Sequence, residues 1–143
     1  MSRYLCDTSC LVATVCKWHA HHGRTIVELN RRNASPRELV IAAHSLAEAY
    51  AVLTRLPSPY RLRPRDAIEL IEANWGDTPI VQLSGREMWR TLRDARQLGI
   101  IGGQTYDALI AACALKARAS ELLTWNVRNF APFSERISVV APP

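Results

Sequence analysis

Arg3-Tyr4-Leu5-Cys6-Asp7-Thr8-Ser9 is the stretch from which the fold is read. Tyr4-Leu5-Cys6 is apolar at consecutive positions and too short for a helix, which fits a strand buried on both faces. Asp7 ends the run and is placed to cap a helix from Thr8 to Cys16.

The same order of apolar strand and helix recurs outward from there. Residues 39–42 read as a strand and 45–56 as a helix. Pro57-Ser58-Pro59 ends that helix, because proline disfavours helix at the residue before it. Residues 22–32 form an amphipathic helix with Ile26, Val27 and Leu29 on its apolar side, and Asn33-Ala34-Ser35-Pro36 breaks it. A helix spans 65–75, a strand 80–83, and a helix capped by Ser84 runs to Leu98, where Gly99 stops it. Residues 105–119 form an alanine-rich helix, 121–124 a strand, a short helical turn reaches Phe130, and 137–140 is the last strand. This alternation predicts an α/β fold, with a central parallel sheet covered by helices on both faces, as a single domain over residues 1–143. Residues 57–64 and 99–103 are the expected flexible connections.

Three acids sit in apolar surroundings: Asp7, Glu48 within Leu46-Ala47-Glu48-Ala49-Tyr50, and Asp107 ahead of Ala108-Leu109-Ile110-Ala111. Burying a lone carboxylate is costly, and several stay ionised together only if a cation neutralises them. Asp7 lies just past the first strand and Asn126 just past the strand ending at Thr124. Open parallel sheets bind ligands beyond the carboxyl ends of their strands. Glu48 and Asp107 fall early in helices, so all four residues can gather at one sheet edge. Asp107 shares a helix face with Ile110, Ala111 and Ala114 and is expected to point inward. Plainer roles compete: Asp7 as an N-cap and Asp107 as a first-turn charge favouring the helix dipole. Glu48 has neither. Glu28, Glu38, Asp66, Glu87, Asp94 and Glu135 lie near arginines in polar segments and read as surface charges.

The net charge is +5, and lysine occurs only at Lys17 and Lys116, so the basic residues are nearly all arginine. A basic surface favours a nucleic-acid partner, and arginine suits phosphate. No apolar run approaches the ~20 residues of a membrane span. Asp7 interrupts the early apolar run, and Lys17-Trp18-His19 is a poor cleavage context, so a cytoplasmic protein is expected. Cys6, Cys10, Cys16 and Cys113 form no Cys-x-x-Cys pair. Buried free thiols suit them better than zinc. Hard oxygen ligands suit magnesium or manganese, and a basic chain then points to metal-assisted phosphodiester hydrolysis.

Five segments together carry a family resemblance: Leu5-Cys6-Asp7-Thr8-Ser9, Ser45-Leu46-Ala47-Glu48-Ala49-Tyr50, Leu53-Thr54-Arg55-Leu56-Pro57, Tyr106-Asp107-Ala108-Leu109-Ile110-Ala111 and Leu123-Thr124-Trp125-Asn126-Val127-Arg128-Asn129-Phe130. In this order the chain resembles PIN-domain nucleases, and among them the VapC-type toxins of bacterial toxin–antitoxin pairs. The resemblance implies an α/β/α sandwich and a magnesium-dependent endoribonuclease that hydrolyses RNA by metal-activated water, with Mn2+ a possible substitute. It implies an RNA substrate, a VapB-type antitoxin and self-pairing. Asp7, Glu48 and Asp107 match the acidic cluster that holds the metal directly or through water. Ser9 and Thr124 match supporting hydroxyls. Asn126 stands where many members have a fourth acid, so one tightly held metal is expected rather than two. That asparagine keeps two alternatives open: a noncatalytic RNA-binding module with a decayed metal site, or a DNA-structure nuclease of the same fold.

Arg55, Arg61 and Arg63, around the proline-rich loop, are candidate RNA contacts, and Trp125 is the best base-stacking candidate. Trp18, Trp75 and Trp89 read mostly as core or interface packing. Arg86, Arg90, Arg93 and Arg96 read as a polar helix exterior. His19, His21 and His22 read as a solvent-facing helix end, and neither they nor His44 are needed for the chemistry.

Overall fold

The structure is a computed structural model that describes residues 2–143. The elements in chain order are β1 (Ser2–Cys6), α1 (Thr8–Val15), α2 (His22–Asn33), β2 (Arg37–Ala42), α3 (Ala43–Arg55), α4 (Pro64–Trp75), β3 (Ile80–Val81), α5 (Gly85–Gln97), α6 (Gln104–Lys116), β4 (Glu121–Leu123), a 3-10 helix (Val127–Phe133) and β5 (Ser138–Val140). The strands form one sheet in the order β3-β2-β1-β4-β5, and every neighbouring pair is parallel. The expected α/β/α sandwich is thus the observed one.

Alternation along the strands splits the core in two. Leu5, Val40, Ala42 and Leu122 face one layer with α6, Phe130 and Phe133. Tyr4, Cys6, Ile41 and Leu123 face the other, with residues of α1 to α4. β1 lies at the centre with Tyr4, Leu5 and Cys6 fully buried, which is why its sequence is apolar without alternation.

Several boundaries move for local reasons. α3 starts at Ala43, directly off β2, with no intervening loop. β3 is two residues rather than four. The carbonyl of Gln82 accepts from Lys116 Nζ at 2.7 Å instead of extending the ladder. α6 runs from Gln104 to Lys116 and not to Ala119. α5 carries a full capping box between Ser84 and Glu87. It ends in a Schellman turn with Gly99 at φ +69° and Ile100 N–H donating to the Ala95 carbonyl at 2.9 Å. All four cysteines are free and buried, as expected. Trp75 lies in the core, and Trp18 and Trp89 are exposed on the single chain. Arg86, Arg90, Arg93 and Arg96 are exposed, as expected.

Glu28 corrects the surface-charge reading. It is buried, and so is Arg32, whose Nε donates to Glu28 Oε1 at 2.7 Å and whose Nη1 donates to Glu121 Oε1 at 2.9 Å. The Arg32 guanidinium also lies 4.9 Å over the Tyr4 ring. Opposite charges and an aromatic face let this part of α2 pack inward despite its polar sequence.

Candidate active site

Asp7 sits at the junction of β1 and α1, at the carboxyl end of the central strand. Its Oδ1 caps α1 by accepting from Cys10 N–H at 3.1 Å and also accepts from Ser9 Oγ at 2.6 Å. Its Oδ2 accepts from Thr124 Oγ1 at 2.6 Å. Thr124 follows β4, the neighbouring parallel strand, and its hydroxyl in turn accepts from Asn126 N–H at 2.8 Å. Capping and site-building are therefore the same arrangement here. The cap fixes the carboxylate, and two hydroxyls from separate elements hold it.

Asp7, Glu48, Asp107 and Asn126 line one groove of about 880 Å3. Only Asp7 of the three acids is buried. Glu48 and Asp107 are half-exposed, which corrects the expectation of three buried charges. Ile110, Ala111 and Ala114 are buried as expected, and Asp107 sits where that helix stripe meets the groove. Glu48 Oε2 lies 4.0 Å from His44 Nε2, and His44 stacks on Tyr106. Among the described residues, no lysine or arginine pairs with Asp7, Glu48 or Asp107.

Burial and neighbouring negative charge raise the pKa of two of these carboxyls, Asp107 and Asp7. Burial, then repulsion from Asp7 and Glu48, pushes the Asp107 carboxyl from its ordinary 3.8 to about 6. Asp7 is also raised, first by burial. Its hydrogen bonds from Ser9, Thr124 and Cys10 oppose the rise, and Glu48 adds to it. The folded, metal-free chain therefore keeps a proton on Asp107 between about pH 4 and about pH 6 that the unfolded chain has lost. Its stability falls as pH rises through that window. Asp107→Asn is expected to stabilise EDTA-treated protein at neutral pH by about 1 kcal/mol, after allowing for screening of a half-exposed carboxylate. The gain should vanish near pH 4, and thermal melts at both pH values check this.

The donor set fits a hard divalent cation, because carboxylates, hydroxyls and an amide side chain line one groove and, among the described residues, no lysine or arginine is ion-paired with the three acids. Among those residues, no three His, Cys, Asp or Glu side chains form a group able to hold one ion. An ion held by one or two carboxylates, with water reaching the others, fits that spacing and is typical of magnesium.

Arg55, Arg61 and Arg63 do not line the groove. Arg61 Nε donates to the Leu56 carbonyl at 2.8 Å, and Arg63 pairs with Asp66 at 3.2 Å. Arg128, Gln104 and Asn129 line it instead. Arg128 and Asn129 are legible in principle, because they lie just past Asn126 at the same strand end. His19 and His21 line it too, although His-Ala-His-His reads as a solvent-facing helix end. Trp125 lines the groove, but one face of its indole is already covered by His21.

A family model described as PIN domain matches residues 4–131. Ribonuclease VapC27 of Mycobacterium tuberculosis is 37% identical over 122 residues, covering 85% of this chain and 83% of that protein. Ribonuclease VapC40 of the same species is 36% identical over 134 residues, covering 93% and 92%. Among solved structures, a toxin–antitoxin complex from Klebsiella pneumoniae contains a chain that matches with a TM-score of 0.64 at 21% identity, covering 98% of each chain.

Proposed function

This chain belongs to the PIN-domain family, and on that premise we propose that it is a magnesium-dependent endoribonuclease, the toxin of a toxin–antitoxin pair. The observation that carries this reading is the groove at the carboxyl end of an all-parallel sheet, lined by three carboxylates with which no lysine or arginine forms an ion pair among the described residues. Relatives named ribonucleases support RNA as the substrate, and the solved toxin–antitoxin complex supports an antitoxin partner. Self-pairing of the chain belongs to the same reading.

In this mechanism Asp7, rigidly held by Ser9 and Thr124, would be the anchoring oxygen ligand. Glu48 and Asp107 hold and orient water across the groove. Arg128 supplies positive charge beside the phosphate, and Asn126 offers an uncharged oxygen where an acid would add repulsion. A bound divalent cation supplies charge neutralisation at the attacked phosphate and a more acidic water. Water is the nucleophile in place of the RNA 2′-hydroxyl, and the 3′-oxygen leaves and takes a proton, so the products carry 5′-phosphate and 3′-hydroxyl ends.

Purified protein is expected to cut RNA in magnesium or manganese, to stop in EDTA, and to leave a matched DNA strand uncut. Asn126→Asp is expected to raise the rate at limiting magnesium several-fold, on the order of one further weak ligand interaction. RNA binding without turnover in any divalent metal, and no gain from Asn126→Asp, would instead establish a noncatalytic binding module. Preferential cutting of the DNA strand would establish a DNA nuclease.

A further inference from the structure

Five aromatic rings run in an unbroken line from the groove to the loop after α3. Trp125 stacks on His21 with centroids 3.9 Å apart and 9° between planes. His21 neighbours His19 at 5.6 Å, and His19 neighbours Trp18 at 6.1 Å. Trp18 stacks on Tyr60 at 4.4 Å. Trp18 and Tyr60 are 46% and 43% exposed, so the outer end of the line faces water. Aromatic surface left in water in this way commonly marks a binding site.

Hydrogen bonds fix the Trp125 indole, the His19 ring and the His21 backbone, and the His21 ring is held by its stack on Trp125. Trp125 Nε1 donates to Thr25 Oγ1 at 2.9 Å, and Thr25 Oγ1 donates to the His21 carbonyl at 2.7 Å. The indole and the His21 backbone are thus tied to the same residue, and the two rings stack. His19 Nδ1 accepts the His21 backbone N–H at 3.0 Å, so in its neutral form this ring carries its proton on Nε2. At the inner end Trp125 N–H donates to Ser9 Oγ at 3.0 Å, and Ser9 holds Asp7. The ring line is thereby fixed in register with the carboxylate cluster. Exposed Lys17 and Arg61 adjoin Trp18 and Tyr60 in the chain, and Arg128 lines the groove at the other end.

Rings spaced along a cationic edge are the makings of a track for unpaired nucleotides, in which bases stack and phosphates meet the charges. We propose, resting on the nuclease reading above, that the Tyr60–Trp18–His19–His21–Trp125 line is the RNA-binding track on one side of the cleavage point. His21 is the innermost of the rings that take a base, and Trp18 with Tyr60 takes a base several nucleotides away. Trp125 itself acts as the support beneath His21.

The test uses the full chain carrying Asp7→Asn, which holds RNA without cutting it. Fluorescence anisotropy in magnesium measures its affinity for a labelled oligouridylate, for the same length of abasic ribose-phosphate, and for an RNA duplex. Trp18→Ala, Tyr60→Ala and His21→Ala should each weaken oligouridylate binding about tenfold, the scale of one lost base–aromatic stack. His21→Phe and Tyr60→Phe should retain it. The abasic strand should bind weakly and equally to every variant. The proposal is overturned if the alanine variants bind oligouridylate like the parent. It is also overturned if duplex or abasic strand binds as tightly as oligouridylate, or if the alanine variants lose a copurifying antitoxin while keeping RNA. The nuclease reading fails separately: a chain with Asp7 intact that never cuts, yet loses RNA with these rings, keeps the track and removes the activity.

Discussion

Asp7→Asn is expected to lower RNA cleavage on the order of 10²–10³-fold or more while leaving the fold intact. Asparagine is nearly isosteric, and its carbonyl oxygen can still accept Cys10 N–H, so the cap on α1 survives. The Ser9 and Thr124 hydroxyls can rotate to meet an amide as donor or acceptor. What disappears is the charge of the one buried carboxylate in the groove, held by three hydrogen bonds and proposed above as the metal ligand. Because burial raises the Asp7 pKa, removing that charge also removes a folding penalty. EDTA-treated Asp7→Asn should therefore melt no lower than the parent at neutral pH. Magnesium should stabilise the parent by ligand linkage and the variant much less. Initial rates on RNA together with melts in EDTA and in magnesium check both halves. Magnesium-dependent cutting that survives the substitution would remove Asp7 from the site. Ser9→Ala should fall between the two, because it removes a hydrogen bond to the carboxylate but no ligand.

The residues around Asp7 show how far sequence reaches and where it stops. Asp7, Glu48 and Asp107 stand out because each interrupts an apolar pattern, and all three do line one groove. The pattern misstates their burial, however. Helix periodicity separates a core face from a solvent face, but a groove cut into the edge of a core face looks like core in the sequence. Asp107 follows the stripe of Ile110, Ala111 and Ala114 and yet is half-exposed for that reason. The strands themselves are easy to read because a parallel sheet buried on both faces needs consecutive apolar residues. Their ends are not, since β3 stops where a lysine from α6 takes the Gln82 carbonyl, and that contact is long-range. The histidines fail for a related reason. Nothing local in His-Ala-His-His shows that Trp125, about a hundred residues later, stacks on one of its rings. Glu28 is the converse case: its sequence neighbourhood is charged, and only the packing of α2 on Tyr4 and Glu121 makes it interior.

That interior pair gives the largest expected change in stability. Arg32→Ala should destabilise the chain by about 3–5 kcal/mol, on the order of a 10 °C fall in Tm for a domain of this size. The side chain is 4% exposed and its partner Glu28 is 2% exposed, so deletion leaves a buried carboxylate with one remaining partner, the exposed Arg31. The cation over Tyr4 and the bond to Glu121 are lost as well. Glu28 is held below its ordinary pKa, first by Arg31, with burial opposing and Arg32 adding to the fall. Its stabilising contribution is therefore present above the unfolded-state value of about 4.5 and is lost as pH falls through the depressed folded-state value. The parent's advantage over Arg32→Ala should accordingly shrink in acid. Tyr4 pairs in register with Glu121, at the start of β4, whereas Asp7 and Thr124 follow the strands' other ends, so the network lies at the far end of the sheet from the groove. Cleavage per folded molecule should thus be unchanged at a temperature where the variant remains native. Glu28→Met combined with Arg32→Leu should be less damaging than Arg32→Leu alone, because it removes the stranded charge together with its partner. Denaturant melts of the two single variants and the double variant measure that coupling. A double variant no more stable than Arg32→Leu would show that packing over Tyr4, and not the ion pair, is what Arg32 contributes.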